Sequence, residues 1–446
     1  MGNPVGGLGD VVILLPTMAL LSLALLALAP TQAPAADWPQ YGGPLRNSCA
    51  PPLQSKFDWG EAGPEVLWRV ATGPGYGGAA VRDGEVFLND CELGESDVLR
   101  VFDLLTGAEK WSNAYEAKGR VQFPGSRTVP TVTEDAVYTS GPLGNVTCFD
   151  RATHEIRWME HVQETYDGED PGFGWSSAPL VIDDLVVFSA LGSDVGLVAL
   201  DRKSGEERWV SEGVGFSQSS PVLLTLLGEP QIVILGTVDQ ATGTDEAAPM
   251  MISSLEPKTG KLKWRHEIRL SRLPIPAALQ IDDERFFVTG GYRGGSTLLR
   301  MSKKDGAPAF EELFHSERGS QVQFPVRHGD YLYLLANENW NEARNRRAEG
   351  GLMCLGLDGK ERWRTGEEPY FGRGNALLAG DVLLIQDGYD GTLRVVRADP
   401  AGYRLVAEAK VFPDGNTRDG QMWAPMALSG EHLLLRSQEE LVCLRL

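Results

Sequence analysis

Short apolar runs recur along the body of the chain, and each follows an acidic residue or a glycine turn. The runs read GEVFLND, DAVYTS, DLVVFSA, PQIVILG, ERFFVTG, DYLYLLA, DVLLIQD and EHLLLRS. Their equivalent apolar positions, 46 to 54 residues apart, are Val86, Val137, Val186, Ile232, Phe286, Leu332, Val382 and Leu433. Short runs rich in β-branched and aromatic residues and bounded by turn signals are typical of β-strands. The period of about fifty residues therefore predicts eight copies of one supersecondary unit.

A second repeat follows these runs and has the form D-x-x-x-G-x-x-x-W, as in VFDLLTGAEKW and ALDRKSGEERW. The step from the acid to the tryptophan is eight residues in Asp103 to Trp111, Asp150 to Trp158, Asp201 to Trp209 and Glu256 to Trp264. Later copies are weaker, ending at Trp363 in one unit and at Phe314 in another. The Thr-Gly or Ser-Gly step inside the motif predicts a tight hairpin between two strands.

Proline marks the start of a further strand in six units, at Pro130, Pro179, Pro221, Pro276, Pro325 and Pro425. Proline is tolerated at the first residue of a strand, where the ladder does not yet need an N–H donor. Each unit thus has the size and the strand count of one propeller blade. A blade has two apolar faces and buries them only when copies stack around an axis. The sequence predicts an all-β, eight-bladed β-propeller of four-stranded antiparallel blades.

The ring needs a closing strand, because the last unit ends at LVCLRL after its third strand. An unpaired edge of this kind tends to pair with other chains. The segment EVLWRV, Glu65 to Val70, contains Trp68 but has no preceding strands of its own. We therefore expect it to complete the eighth blade, so that the propeller spans residues 65–446 and residues 37–64 form a leader lying across it.

The first 36 residues differ from the rest of the chain. Val11 to Ala29 is almost wholly apolar and runs into the small residues of Thr31 to Ala36. This pattern predicts a signal peptide cleaved after Ala35, with Ala33 and Ala35 satisfying the A-x-A rule. The alternative is a retained membrane anchor, because the apolar run approaches the length of a membrane span. Either interpretation places the body outside the cytoplasm, in the periplasm or the extracellular space.

Charge and metal-binding patterns exclude several classes of function. The formal net charge of −20 would repel phosphate backbones, so nucleic acid is not an expected partner. The histidines show no metal-ligand spacing, and the Asp-rich turns lack the ligand periodicity of a calcium loop. We predict no metal site.

The five cysteines form no C-x-x-C or adjacent pair. Cys148, Cys354 and Cys443 share one phase of the third strand, which predicts that they are small buried side chains. Cys49 and Cys91 lie off that phase, and they are either a disulfide or two free thiols.

The hairpin repeats resemble the tryptophan-docking repeats of pyrroloquinoline-quinone (PQQ) type propellers, and DWPQYGGPLRNS resembles the start of exported bacterial proteins with such repeats. The resemblance covers residues 37–446. The family includes quinoprotein alcohol and glucose dehydrogenases and a non-enzymatic propeller lipoprotein of outer-membrane assembly, so it implies a fold and no single activity. It also implies a structural docking role between blades for Trp68, Trp111, Trp158, Trp209, Trp264 and Trp363.

An aromatic residue recurs beside a polar residue just before the inner strand of successive units, as in GYGG, FPGSRT, FGWSS and GQMWAP. Equivalent connections of stacked repeats lie on one face near the axis. The predicted ligand-binding residues around this funnel are Tyr76, Arg127, Trp175, Gln218, Gln323, Arg373 and Trp423. The alternative is that the aromatic side chains only plug the channel.

These features favour a non-catalytic, exported binding or scaffold propeller that recognises a protein, peptide or glycan on one face. The alternative is a PQQ-dependent oxidoreductase of alcohols or sugars, which would need the quinone, calcium and a carboxylate base. The sequence has no adjacent cysteines and no haem motif, and we predict neither a catalytic residue nor a cofactor. A membrane is an expected partner only if the N-terminal segment is retained.

Overall fold

The computed structural model describes residues 1–2, 37–170, 173–192, 194–237, 248–337, 347–412 and 421–446. The predicted export segment over residues 1–36 lies, except for its first two residues, outside this description and stays a prediction. In the described ranges, no helix is long and apolar enough to cross a membrane. The strands all belong to the compact unit Ala35–Leu446.

Eight antiparallel sheets follow one another along the chain and form blades 1 to 8 of a β-propeller, as the repeat predicted. The strands of blade 1 are Ala80–Arg82, Glu85–Glu92, Ser96–Asp103 and Glu109–Glu116. Those of blade 2 are Thr131–Val132, Ala136–Ser140, Asn145–Asp150 and Ile156–His161. Those of blade 3 are Leu180–Ile182, Leu185–Ser189, Val195–Asp201 and Glu207–Glu212. Those of blade 4 are Val222–Leu226, Glu229–Thr237, Pro249–Leu255 and Leu262–Arg269.

The second half of the ring repeats the arrangement. The strands of blade 5 are Leu279–Gln280, Arg285–Gly290, Gly295–Lys304 and Ala307–Ser316. Those of blade 6 are Val326–His328, Tyr331–Leu335, Leu352–Gly356 and Glu361–Arg364. Those of blade 7 are Asn375–Ala379, Val382–Gln386, Thr392–Arg397 and Leu405–Lys410. Blade 8 comprises Ala427–Ser429, His432–Arg436, Glu440–Arg445 and, as its fourth strand, Glu65–Ala71.

Few other elements occur in the described residues. One short α-helix, Val162–Tyr166, follows blade 2, and two 3-10 turns lie at Gly60–Ala62 and Arg347–Glu349. The remaining strand, Cys49–Ala50, belongs to the leader.

The hairpin between the third and fourth strands explains the acid-to-glycine part of the repeat. In blade 1 the Asp103 carboxylate accepts hydrogen bonds from the N–H groups of Leu105 and Thr106, at 3.1 and 2.9 Å. Gly107 then adopts the left-handed conformation, with φ of 69°, which glycine reaches without steric cost. The register shifts between the pairs Val101–Trp111 and Phe102–Glu109, so Lys110 forms a β-bulge just after the turn.

The N-terminal strand closes the ring as predicted, with one residue more than the sequence indicated. Glu65–Ala71 pairs antiparallel with Glu440–Arg445, and Trp68 lies opposite Cys443. The edge of the third strand of blade 8 is therefore covered from within the chain.

The leader crosses the channel at one end. Trp38 exchanges two backbone hydrogen bonds with Val81 of blade 1, at 2.9 and 2.8 Å. Cys49–Ala50 pairs in parallel with the first strand of blade 7, which makes that sheet five-stranded. The sequence did not indicate this strand, because two residues carry no readable period.

The core lies between blades. One cluster joins Val86 of blade 1, Leu384 of blade 7 and Leu433 of blade 8 with Trp38 of the leader. Such contacts bury the two apolar faces that a lone blade would expose.

The cysteines follow the predicted phase. Cys148, Cys354 and Cys443 are fully buried, as predicted. All five cysteines lie in the described ranges and are free thiols, so Cys49 and Cys91 do not form a disulfide.

Candidate functional site in the axial cavity

The repeat tryptophans lie at the outer strands, and most of them contact the following blade. The indole N–H donates to a carbonyl of that blade in four cases: Trp68 to Leu104 at 2.8 Å, Trp158 to Arg202 at 3.3 Å, Trp209 to Pro257 at 3.1 Å and Trp363 to Asp399 at 2.8 Å. Two differ. Trp264 donates to Gln231 Oε1 of its own blade at 2.7 Å, and Trp111 stacks on His154 with centroids 4.5 Å apart.

The hairpin glycine of the following blade makes room for the indole. A Cβ atom on Gly260 would come within 2.3 Å of the Trp209 ring, and one on Gly205 within 2.7 Å of Trp158. His154 occupies the glycine position in blade 2, and it keeps the left-handed backbone with φ of 65°. This substitution explains why Trp111 stacks on an imidazole instead of covering a glycine.

The connections between blades meet in one axial cavity of about 520 Å³. Each of the eight blades is represented in its lining by the segment that enters its first strand. One such residue for each of blades 1 to 8 in order is Tyr76, Arg127, Ser176, Gln218, Arg272, Gln321, Arg373 and Trp423. Five of the seven residues nominated from sequence, Tyr76, Arg127, Gln218, Arg373 and Trp423, therefore lie around the same space.

The leader closes the opposite end of this cavity. Asn375, at the start of the first strand of blade 7, lines the cavity, whereas Ala379, at the end of that strand, pairs with Ala50 of the leader. Tyr41 of the leader reaches the lining and packs edge-on against Phe324, with centroids 6.3 Å apart. Among the described residues, the cavity is thus open on the face where the connections between blades lie, the connection face, and the leader forms its floor on the opposite face.

Trp175 and Gln323 do not line the cavity, although the sequence nominated both. The Trp175 ring is 2% exposed and packs against Gly144, and its backbone N–H donates to the Pro142 carbonyl. The Gln323 side chain accepts a hydrogen bond from the Leu335 N–H at 2.9 Å and is 1% exposed. Trp175 thus packs against the preceding blade and Gln323 against the blade that its connection enters, which sequence position alone did not reveal.

Three rings form an aromatic wall on one side of the cavity: Tyr76, Phe123 and Trp423. Their centroids lie 5.1 to 6.0 Å apart. The Tyr76 hydroxyl donates to Gln421 Oε1 at 2.6 Å. Such a wall offers a large, rigid apolar contact area.

Two arginines flank this wall. The Arg373 guanidinium lies 4.4 Å from the Trp423 ring centroid, a cation–π distance. Arg127 donates from Nη2 to the Phe123 carbonyl. Burial lowers the pKa of Arg127 to about 10 and also lowers the pKa of Arg373. Both stay protonated at neutral pH, although each has lost part of its hydration.

The lining as described carries positive charge only. Arg272 joins Arg127 and Arg373 there, and its guanidinium lies 4.2 Å from the Tyr292 ring centroid. Aspartate, glutamate, histidine and cysteine are absent from the described lining. Asp170, outside the lining, is near enough to raise the pKa of Arg127, against the larger effect of burial. A cationic cavity at the axis of a chain with net charge −20 is suited to attract an anionic group.

Several buried polar atoms of the lining have no hydrogen-bond partner among the described residues. They are Arg127 Nη1, Gln218 Nε2, Gln321 Oε1 and Trp423 Nε1. The Gln218 and Gln321 side chains are 7% and 4% exposed. Buried polar groups are normally paired, and each exception needs an explanation. A bound ligand that supplies the missing partners is one such explanation.

The family model described as outer membrane protein assembly factor BamB matches residues 59–225 and 94–275. These matches cover blades 1 to 4, and the fold of the whole chain is that of a PQQ-like repeat β-propeller. No curated protein matches it.

Solved structures share the fold of this PQQ-like propeller at low identity. A europium-containing methanol dehydrogenase is 12% identical with a TM-score of 0.65, covering 92% of this chain and 89% of its own. BamB from Moraxella catarrhalis is 14% identical with a TM-score of 0.56, covering 86% and 97%. A quinohemoprotein alcohol dehydrogenase from Comamonas testosteroni is 15% identical with a TM-score of 0.63, covering 92% and 80%. At these identities the likeness establishes the fold alone.

A buried arginine of blade 8 holds the loop that presents Tyr76. Arg436 donates to the carbonyls of Gly77 and Gly73 at 2.7 and 3.2 Å, and it forms an ion pair with Asp90 at 3.2 Å. A Cβ atom on Gly75 would come within 2.5 Å of this guanidinium. The glycines of GPGYGG therefore allow the PQQ-like propeller to pack this loop directly on a charged side chain.

Sequence reasoning missed Arg436 and several lining residues. Arg436 stands three residues after Leu433 in the run EHLLLRS, at a position where every other run carries an uncharged residue, and that contrast could have identified it. Phe123 and Gln421 lie within the motifs FPGSRT and GQMWAP, but they are not among the ligand-binding residues predicted from the sequence. Arg272 lies in a connection without the aromatic and polar pattern, so no sequence signal indicated it.

Proposed function

We propose that this PQQ-like propeller is a non-catalytic, exported binding protein that holds a protein, peptide or glycan partner on its connection face. The observation that supports this proposal best is the axial cavity, to which all eight blades contribute aromatic and hydrogen-bonding side chains. Its volume of about 520 Å³ lies within the usual range for ligand pockets. A macromolecular partner would therefore insert only a short segment, such as a loop tip.

The matching family model adds support for a protein partner. Its description names an assembly factor of outer membrane proteins. The apolar segment Val11 to Ala29 supports export independently. We therefore favour a protein or peptide partner over a glycan.

The residues of the cavity do not fit the cofactor set of a PQQ-dependent oxidoreductase. Arginines and aromatic rings would suit the carboxylates and the plane of the quinone, but calcium needs several oxygen ligands, usually including carboxylates. The described lining supplies three arginines and no carboxylate for the cation or for a catalytic base. Elsewhere in the described ranges, no group of three or more His, Cys, Asp or Glu residues is placed to hold a metal.

The first experiment tests the absence of catalysis. The protein purified with added PQQ and calcium is assayed for dye-linked oxidation of alcohols and sugars. We expect no turnover above that of PQQ and calcium alone. Turnover that depends on the quinone and is abolished in Arg373→Ala and Trp423→Ala would establish the enzyme instead.

The second experiment tests which face binds. A photo-crosslinking amino acid is placed at Gln122, an exposed residue of the cavity lining, and in a control at Leu45, a leader residue that is 78% exposed. After irradiation of cells that produce the protein naturally, we expect a discrete crosslinked species from position 122 and not from position 45. The same species from both positions, or from position 45 alone, would contradict the proposed binding face.

A further inference from the structure

We infer that the axial cavity receives an acidic side chain, aspartate or glutamate, at the tip of a loop of the protein partner, with its carboxylate between Arg127 and Arg373. This inference rests on the proposed function, which places the partner on the connection face. It goes further by specifying the chemistry of the inserted segment.

Charge complementarity is the first argument. Arg127 bonds to Phe123 and Arg373 lies over Trp423, and Tyr76 is near enough to both arginines to affect their pKa. Arg127 Nη1 has no hydrogen-bond partner among the described residues. A partly desolvated guanidinium gains most from a carboxylate, which accepts two hydrogen bonds in a planar arrangement. The rest of this acidic chain would repel the same carboxylate, which fixes the orientation of the partner.

The buried amides favour a peptide over a simple organic acid. The NH2 group of Gln218 and the side-chain carbonyl of Gln321 both lack a hydrogen-bond partner among the described residues, and both residues are more than nine-tenths buried. A peptide group carries one C=O acceptor and one N–H donor, which is the complement of this pair. A simple carboxylic acid would satisfy the arginines and leave the acceptor of Gln321 without a donor.

The size and the apolar wall of the cavity agree with a short loop tip. About 520 Å³ holds a few residues and excludes a folded domain. The rings of Tyr76, Phe123 and Trp423 provide a contact surface for the aliphatic stem of the acidic residue and for its neighbours.

The test uses a blocked pentapeptide, acetyl-Ala-Ala-Glu-Ala-Ala with a C-terminal fluorophore, and its Gln counterpart, titrated by fluorescence anisotropy. We expect the Glu peptide to bind at least about tenfold more tightly, because the Gln peptide lacks the charge-assisted hydrogen bonds. Succinate serves as a competitor that offers carboxylates without a peptide group. We expect it to compete much more weakly than the unlabelled Glu peptide.

Three variants and one control locate the interaction. Arg127→Gln and Arg373→Gln should each weaken the Glu peptide about tenfold or more. Gln218→Glu, nearly isosteric, should abolish binding by placing a negative charge in the cavity. Arg300→Gln removes the same charge from the third strand of blade 5, where the side chain is 41% exposed and pairs with Glu311, and should leave binding unchanged. Thermal unfolding of each variant confirms that it is folded.

Three results would overturn the inference: equal binding of the Glu and Gln peptides, no binding of either, or succinate competing as well as the peptide. The last would make the cavity a site for small acids. These failures are separable from failure of the proposed function, because a crosslinked partner at Gln122 would still establish the binding face.

Discussion

At the scale of single residues, the indole of one blade and the hairpin glycine of the next form a unit. Trp209 donates to the Pro257 carbonyl and covers Gly260, whose Cβ position is filled by the indole ring. The docking role of these tryptophans is testable because the chain also contains glycines with the same backbone conformation and free space around them. Gly228 is one, with φ of 75° and nothing within 4 Å of its Cβ position.

We predict that Gly228→Ala costs about 1 kcal/mol through backbone strain alone, while Gly260→Ala costs a further 1–3 kcal/mol, roughly, by overpacking against Trp209. Trp209→Ala should itself cost about 3–5 kcal/mol. Chemical denaturation measures all three. In the Trp209→Ala background the extra cost of Gly260→Ala should vanish, and its persistence would mean that the indole is not what the new methyl group meets.

A second residue-scale prediction concerns Asp97, a buried carboxyl in the third strand of blade 1. It accepts a hydrogen bond from the Tyr115 hydroxyl at 3.2 Å, and burial raises its pKa to about 6. A raised pKa means that the folded state holds the proton more tightly than the unfolded chain. Stability from this group is therefore present at low pH and is lost as pH rises from about 4 through 6.

The measurement is the free energy of unfolding of the wild type and of Asp97→Asn between pH 3 and pH 8. Relative to the variant, the wild type should lose roughly 3 kcal/mol as pH rises across this window, since each pKa unit is worth about 1.4 kcal/mol. Above pH 7 the difference should be constant. A difference that is flat throughout, or that has the opposite sign, would show that Asp97 ionises normally in the folded protein.

At the scale of elements, hydrogen bonds to the blades hold the leader across the channel. Arg46 is 7% exposed and donates to the carbonyls of Pro179 and Pro221 in blades 3 and 4 and to Gln40 at 2.9 Å. Burial lowers its pKa to about 10, so it stays charged at neutral pH. The Pro179 carbonyl also accepts a hydrogen bond from the Thr131 hydroxyl at 2.7 Å, so the buried Pro221 carbonyl is the acceptor that depends most on Arg46.

We predict that Arg46→Ala destabilises the protein by roughly 3 kcal/mol, because it leaves the buried Pro221 carbonyl unpaired and opens a void between the leader and blades 3 and 4. Arg445→Ala is the control, since its ion pair with Glu65 is 49% and 58% exposed on the two sides and should contribute under about 1 kcal/mol. Denaturant titration of both variants measures the loss in the free energy of unfolding. Similar small losses would mean that the leader is not fastened through Arg46.

At the scale of the whole molecule, ring closure depends on one strand from the far end of the chain. Glu65–Ala71 supplies the outer strand of blade 8, and Trp68 links that blade to Leu104 of blade 1. Removing this strand would expose the edge of Glu440–Arg445 and would break the contact between the first and last blades.

We predict that replacing Glu65–Ala71 by a Gly/Ser linker of equal length causes aggregation or loss of cooperative unfolding. Adding the same seven residues after Leu446 through a short turn should restore a monomer, because the strand can then pair as a hairpin. Gel filtration measures the oligomeric state of both variants, and chemical denaturation measures their cooperativity of unfolding. A linker variant that stays monomeric with wild-type stability would show that closure does not depend on this strand.

The sequence by itself determined the fold, because the signals for it are local and repeated. The spacing of the apolar runs predicted the number of blades, the strand EVLWRV predicted the closure, and the phase of Cys148, Cys354 and Cys443 predicted their burial. Apolar alternation and turn residues can be recognised within one unit. The regular spacing of eight such units then reinforces the prediction from each of them.

Only the tertiary structure decided which side chains share the cavity. Arg127 and Trp175 stand in equivalent connections, yet one faces the axis and the other packs into a blade, because neighbouring side chains determine the direction of each turn. Arg46 meets carbonyls 133 and 175 residues away, and Arg436 meets Gly77 across almost the whole chain. Contacts of this kind have no period and no local pattern, so they exist only once the ring has closed.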